Sequence, residues 1–283
     1  MDFAFLSDPA GFGLSEGWWP ITLQSPYWQV LFAGLMNTLK VALPAWVLAM
    51  ALGLLVGLGQ LAPHPLLRAA CKAYVNVLRN VPLLIQLLAI YFAITQFLPV
   101  ASQAWALAPG VFLSKSGLVT PALLHVDGRW LWQAPRIGRF AVEGGWVLSP
   151  EYLAVLAALV VYTAAYVAEV VRAGVQAVRP GMRQAALALG LRPTQASFYV
   201  VIPLALRIMV PSLSNQTLNL LKNASLGVAV GYPELVSVAN TAINQSGKAV
   251  ECVLIILLVY ALLSAVAALA MNSLNRRVNR GAL

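Results

Sequence analysis

A helix rises about 1.5 Å per residue and the hydrocarbon of a bilayer is about 30 Å thick, so a span needs about twenty apolar residues in succession. Five segments of this chain meet that demand, at about residues 40–61, 81–98, 152–171, 196–221 and 249–271. The composition agrees: 60% of the 283 residues are hydrophobic and 10% charged, against about half and a quarter in soluble domains. The chain reads as an all-α integral membrane protein with about five transmembrane helices.

The lead-in LFAGLMNTL before the first span lies in the interface or extends the helix. Residues 1–30 read as an extramembrane or interfacial segment. Asp2 and Asp8 stand where a signal peptide needs bases, and Trp18, Trp19, Tyr27 and Trp28 suit an interfacial aromatic belt. Residues 31–277 form the transmembrane domain, and 278–283 a tail. Within the domain, residues 100–150 are broken by Pro109, Gly110, Pro121, Gly128, Gly144 and Gly145. They predict an extramembrane loop with turns or short strands. The stretch GYPELVSVANTAINQSG predicts a short surface helix between two turns.

Basic residues set the orientation. Arg68, Lys72 and Arg79 lie in the first connecting loop. Arg172, Arg179, Arg183, Arg192 and Arg207 lie in or beside the loop at about 172–195, and Arg276, Arg277 and Arg280 in the tail. With five spans these clusters share one side, which the positive-inside rule makes cytoplasmic, with the N-terminus outside and the C-terminus cytoplasmic. The loop at 100–150 mixes its bases with Asp127 and Glu143. Bases placed between apolar spans also account for the formal charge of +9, so no nucleic-acid partner is expected.

Several chemistries lack their residues. There is no G-x-x-x-x-G-K-[ST] loop, since Gly247-Lys248 is followed by Ala249, and no HExxH or GxSxG. Cys71 and Cys252 are far apart and His64 and His125 isolated, which suggests neither a disulfide framework nor a metal site. No catalytic residue and no cofactor resident in this chain is expected; the chain does not read as an enzyme.

Three polar or small-residue patterns remain. In QAALALGLRPTQASFYVVIPLA, residues 184–205, Pro180 and Gly181 precede and Gly190 and Pro193 follow a helix of about two turns at 182–189. Its alanines leave a low surface for a partner, with Leu187, Leu189 and Leu191 as an apolar anchor; strong helix propensity alone also explains it. In span four, Asn215, Asn219, Lys222 and Asn223 share a helical face. Lys222 either meets a carboxylate or snorkels to headgroups, and the asparagines either line a pathway or bond between helices. In span three, Tyr162, Tyr166 and Glu169 share a face, and Glu169 either pairs locally with Arg172 or serves a pathway. Ala49, Gly53 and Gly57 form a small-residue stripe suited to close helix packing.

The first pattern matches a signature of the membrane subunits of ATP-binding-cassette importers, E-A-A, three residues, G, nine residues, I-x-L-P. Here it reads Gln184-Ala185-Ala186, Gly190 and Val200-Val201-Ile202-Pro203. The surrounding AYVAEVVRAGVQAVRPGMRQAALALGL resembles the polar-amino-acid permease branch, as do YVNVLRNVPLLIQLLAIYF and LNLLKNASLGVAVGYPELVSVANTAINQSGKAVE. The likeness runs over about residues 31–277, and VFLSKSGLVTPA in the outer loop brings it nearest the general or acidic and amide L-amino-acid permeases.

The resemblance implies a type I importer permease fold in the bacterial cytoplasmic (inner) membrane. It implies a second permease subunit, identical or paralogous, cytoplasmic ATPase subunits that carry ATP and magnesium, and an extracytoplasmic amino-acid-binding protein. It makes the 182–189 helix the coupling helix that docks on the ATPase, with Gln184, Ala185, Ala186, Leu189, Gly190 and Pro203 in that role, and the mechanism alternating access. Gln184 departs from the family's Glu, which keeps the shape and loses the charge. Tyr166, Glu169, Asn215, Asn219, Lys222 and Asn223 are the substrate-pathway candidates. A secondary transporter would carry internal repeats and paired broken helices, and the chain shows no convincing repeat.

Overall fold

The fold is taken from a computed structural model that describes residues 1–126, 129–139 and 141–279. Asp127, Gly128, Arg280 and the end of the tail, which entered the sequence reading, lie outside these residues. Nine α-helices and eight short strands are described. They are α1 (Tyr27–Gly59), α2 (Pro65–Asn80), α3 (Leu83–Phe97), α4 (Pro150–Gln176), α5 (Pro180–Ala188), α6 (Pro193–Ala196), α7 (Ile202–Asn223), α8 (Leu235–Ser246) and α9 (Ala249–Asn279), with the strands between α3 and α4.

Among the described residues, four helical runs are long and apolar enough to cross a membrane, α1, α4, the continuous run Pro193–Val230, and α9, with a fifth if the bent pair α2–α3 is one span. The second expected span, residues 81–98, falls on α3. Residues 65–80, read as a connecting loop, form helix α2, and α3 departs from it at 105°. The cause is Pro82: its ring disfavours α geometry at the residue before it, and Val81 is extended at φ −98°, ψ 128°. Helix α3 has 15 residues, about 22 Å, which falls short of a bilayer by itself. The lead-in LFAGLMNTL belongs to α1, which starts at Tyr27 and runs for 33 residues, about 50 Å.

The chain divides into two units. The first comprises Met1–Val41, Leu83–Ala158 and Ala224–Cys252. Its strands are β1 (Trp105–Ala108), β2 (Val111–Ser114), β3 (Gly117–Thr120), β4 (Ala122–Val126), β5 (Arg129–Gln133), β6 (Arg136–Ile137), β7 (Val142–Glu143) and β8 (Trp146–Leu148). They form an antiparallel sheet in the order β1-β2-β3-β8 and the hairpins β4-β5 and β6-β7. The helical fold therefore carries a small β insertion where the glycines and prolines predicted a loop. Gly117 (φ +113°) closes the β2-β3 turn; a Cβ there would lie 2.1 Å from the Leu148 carbonyl oxygen.

A buried polar cluster organises this unit. Lys40 and Glu16 form an ion pair of 2.5 Å, their side chains 6% and 10% exposed. Ser149 Oγ donates to the other Glu16 oxygen at 2.6 Å, and Lys40 Nζ lies over the rings of Tyr152 and Trp146. Pro44 cannot donate to the Lys40 carbonyl four residues back, and Tyr152 Oη supplies that bond at 3.3 Å. Asn37 Nδ2 donates to the carbonyls of Glu16 and Pro233, and Tyr232 Oη to that of Asn37. The supposed interfacial segment is thus pinned to α1 and to the chain before α8.

Helix α8 is not a surface helix: Leu235, Val238, Ala239 and Ala242 are buried. Gly34 of α1 packs so closely on it that a Cβ would meet Val238 Cγ2 at 3.0 Å. Glu234 caps its start by accepting from the amides of Val236 and Ser237, and Gly247 ends it at φ +69°.

The second unit comprises Ala42–Pro82, Leu159–Asn223 and the chain from Val253. Here the Ala49-Gly53-Gly57 stripe packs on α4. A Cβ at Gly53 would lie 2.5 Å from Val167 Cβ, and one at Gly57 2.7 Å from Val171 Cβ. Gly174 of α4 meets α7 in the same way, 2.2 Å from Met209 Cγ, beside a core of Val167, Val171, Ala205 and Met209.

Removing one partner of a buried ion pair leaves an uncompensated charge and costs about 3–5 kcal/mol. Lys40→Met should lower the thermal midpoint of the detergent-solubilised protein, and Glu16→Gln added to it should restore most of the loss. Thermal unfolding of both variants checks this; equal destabilisation in the two would contradict it.

Candidate functional site

Helix α5 begins two residues earlier than the sequence suggested. Pro180 is its first residue rather than a breaker before it, because the first helical N–H needs no intrahelical acceptor. Leu189 is the C-cap, and the close is a Schellman turn. The amide of Gly190 (φ +87°) donates to Leu187 O at 3.0 Å and that of Leu191 to Ala186 O at 3.2 Å. Ala186 is the one residue of the helix that is buried, while Gln184 and Ala185 are exposed and Leu189 is 85% exposed. With Met182 and Leu187 also exposed, α5 presents apolar side chains on a short helix. Under it lies a cleft of about 540 Å³ lined by Arg179, Arg183, Gln184, Leu187, Val175 and Val201.

From α5 the chain passes through α6 into α7 by a π-helical turn at Ser197–Val201. Pro203 explains the turn. In an α-helix its ring would clash with the carbonyl of Tyr199 and leave that carbonyl without a donor. Widening the preceding turn avoids this, and the Ile202 amide reaches back five residues to Ser197 O. The consequence of Pro203 is a local π-bulge, a form that concentrates at functional sites.

The pathway candidates fall into two groups. Tyr162 and Tyr166 of α4 join through their hydroxyls at 3.3 Å, with ring centroids 4.9 Å apart. A cavity of about 210 Å³ is lined by these tyrosines, Thr163, and Gln216, Asn219 and Asn223 of α7. A second, of about 350 Å³, shares Tyr166 and Gln216 with it and adds Arg79, Glu169 and Ser212. Tyr166, Glu169, Asn219 and Asn223 therefore come together. Asn215 and Lys222 line neither cavity and are exposed. The polar stripe of α7 is Ser212, Gln216, Asn219 and Asn223, rotated from the one read through Asn215 and Lys222. Steps of four, three and four residues keep the stripe on one face.

Glu169 and Arg172 form the local pair: Arg172 donates from Nε to Oε2 at 3.0 Å and from Nη2 to Oε1, and its Nη1 reaches Gln176 Oε1 at 2.6 Å. Glu169 thus both pairs locally and faces the larger cavity. The guanidinium of Arg79 lies 5.1 Å from the centroid of the Tyr166 ring. Sequence reasoning missed Gln216 and assigned Arg79 to a loop. A signal was present, since Arg68, Lys72 and Arg79 stand at i, i+4 and i+11, which is one face of a helix.

These features define a polytopic helical membrane protein with a loop helix joined to a kinked, polar-faced span. The chain belongs to the family described as binding-protein-dependent transport system inner membrane component, which matches residues 49–280. It is 35% identical to YhdX of Escherichia coli (strain K12), provisionally named an amino-acid ABC transporter permease protein, over 98% of this chain and 85% of YhdX. It is 33% identical to the general L-amino acid transport system permease protein AapQ of Rhizobium johnstonii, over 98% of this chain and 83% of AapQ. A solved structure of an amino acid ABC transporter with histidines superposes with a TM-score of 0.66 at 26% identity, covering 89% of this chain and 95% of the other.

With an N–H restored at position 203, the α form of the preceding turn gains a hydrogen bond. Pro203→Ala should slow amide exchange over residues 199–203, measured by hydrogen–deuterium exchange in detergent. Unchanged exchange there would mean that another contact holds the π turn.

Proposed function

We propose that this chain is the membrane-spanning subunit of an ATP-driven importer of polar L-amino acids in the bacterial cytoplasmic membrane. The observation that carries the reading is α5: a short helix with exposed leucines, closed by Gly190 and joined through the π turn to a span that lines a polar cavity. Family membership supports the class of machine, and the relatives' names support amino acids as cargo. The distribution of Lys and Arg supports an orientation with the N-terminus outside and the C-terminus in the cytoplasm.

In this reading α5 seats in a groove of a separate ATPase subunit, which binds ATP and magnesium. Ala185 and Ala186 permit close approach, Leu189 anchors, and Gln184 offers a neutral amide. A second permease subunit completes the pathway and an extracytoplasmic amino-acid-binding protein delivers the substrate. ATP binding draws the ATPase subunits together, α5 moves with them, and the π turn before Pro203 carries the movement into α7. The cavity lined by Tyr162, Tyr166, Gln216, Asn219 and Asn223 then faces outward, and hydrolysis resets it. Amides and hydroxyls suit polar cargo because each donates or accepts, so the site binds without trapping a fixed charge.

Uptake of L-amino acids by proteoliposomes containing the chain with its ATPase and receptor tests the assignment. It should require internal ATP and survive collapse of ion gradients; uptake indifferent to ATP would overturn it. Gly190→Pro removes the amide that closes the Schellman turn and forbids its positive φ. That variant should insert normally yet uncouple ATP hydrolysis from uptake, and wild-type uptake would remove α5 from the coupling role.

A further inference from the structure

If the polar cavity carries an amino acid, one group has to meet the carboxylate that every such substrate shares. Three cations stand near enough in the sequence pattern to be considered, and the structure separates them. Lys222 lines neither part of the cavity. Arg172 is engaged through Nε, Nη1 and Nη2 with Glu169 and Gln176. Arg79 lines the larger part, opposite Ser212 and Gln216, and belongs to none of the ion pairs among the described residues.

We propose that Arg79 receives the substrate's α-carboxylate and that Tyr166 holds its guanidinium in place for that contact. This rests on the reading of the cavity as part of an amino-acid pathway.

The Tyr166 ring lies under the Arg79 guanidinium carbon, 5.1 Å from the ring centroid, so its electron-rich face helps hold the guanidinium at the cavity wall. Its N–H donors point along the edge of the plane, in the fork that matches a carboxylate with two parallel bonds. Charge agrees with this assignment. Glu169, the carboxylate of the larger cavity's lining, is paired with Arg172 from outside that lining, so within the cavity Arg79 is the cation left to meet an anion. A basic residue in the last turn of α2 also complements the helix dipole. That role asks only for charge near the helix end and does not require a side chain stacked on α4 at a cavity wall. The smaller part of the cavity, with Tyr162, Thr163, Gln216, Asn219 and Asn223, holds no carboxylate or cation. Once the carboxylate is on Arg79, the substrate's side chain reaches this amide-lined part through the wall that Tyr166 and Gln216 share.

The test uses the assembled transporter in nanodiscs without its receptor, so that only the membrane subunits contribute. Equilibrium binding is measured for the common L-amino acids and, for each that binds, its α-carboxamide. At least one acid should bind, and its carboxamide should bind at least about tenfold more weakly, the scale of a hydrogen bond to a charged group. Arg79→Ala should lose at least about tenfold in affinity for the acid and abolish the difference between acid and carboxamide. Arg79→Lys, which keeps the charge without the fork, should retain part of that difference. Co-elution of the variant complex with its ATPase subunits at the wild-type volume, with an unchanged thermal midpoint, would show that the variants are folded and assembled. Wild-type affinity in Arg79→Ala, or preserved discrimination between acid and carboxamide, would overturn the proposal. So would the absence of receptor-independent binding, while ATP-driven uptake through the receptor would leave the transport function standing.

Discussion

The contact on which the second unit depends is the approach of α1 to α4 at Gly53 and Gly57. Lipid offers apolar side chains no advantage in leaving it, so helices in a bilayer associate through close packing and hydrogen bonds rather than the hydrophobic effect. With no side chain at these two glycines, the valines at 167 and 171 of α4 lie against the α1 backbone. That fixes α4, and with it the cavity wall of Tyr162, Tyr166 and Glu169, which follow one another at steps of four and three residues. Gly174 repeats the device against Met209 and sets α7 across from that wall. Two tyrosines and three amides then face one space without any of them needing to hold the helices together.

Prolines shape the same helices by subtraction, and each has a different remedy. Pro44 removes a donor from the Lys40 carbonyl, which Tyr152 replaces. Pro82 ends α2 outright and turns the chain through 105° into α3. Pro203 is absorbed by a wider turn, with Ile202 bonding to Ser197. Inside a bilayer a lost backbone bond has no water to take its place, so each proline demands its own local answer. That is why the one at position 203 leaves a bulge at the start of α7.

The sequence was informative to different depths in different places. The glycine stripe at 49, 53 and 57, the close of α5 at Gly190 and the Glu169–Arg172 pair were legible because each depends on neighbours within one or two helical turns. The second span fell where expected, on α3, but the basic stretch before it was read as a loop because its charges hid the helical spacing of α2. On α7 the polar face was read through Asn215 and Lys222, which line neither cavity, whereas Ser212 and Gln216 share the face of Asn219 and Asn223. Local spacing could place Arg79 on a helix face but could not show its partner, because Tyr166 lies 87 positions later.

By itself, then, the sequence determined that this is a helical membrane protein, where its long spans fall, and which loop holds a short helix closed by glycine. These follow from apolar length, proline and glycine geometry and charge placement, all properties of contiguous residues. Only the tertiary structure decided that Glu16 belongs to Lys40, that β1, β2, β3 and β8 pair into one small sheet, and that Arg79, Tyr166, Gln216 and Asn219 border two cavities with a shared lining. Those pairings join distant parts of the chain, and what selects them is the packing of whole helices and the need of each buried polar group for a partner.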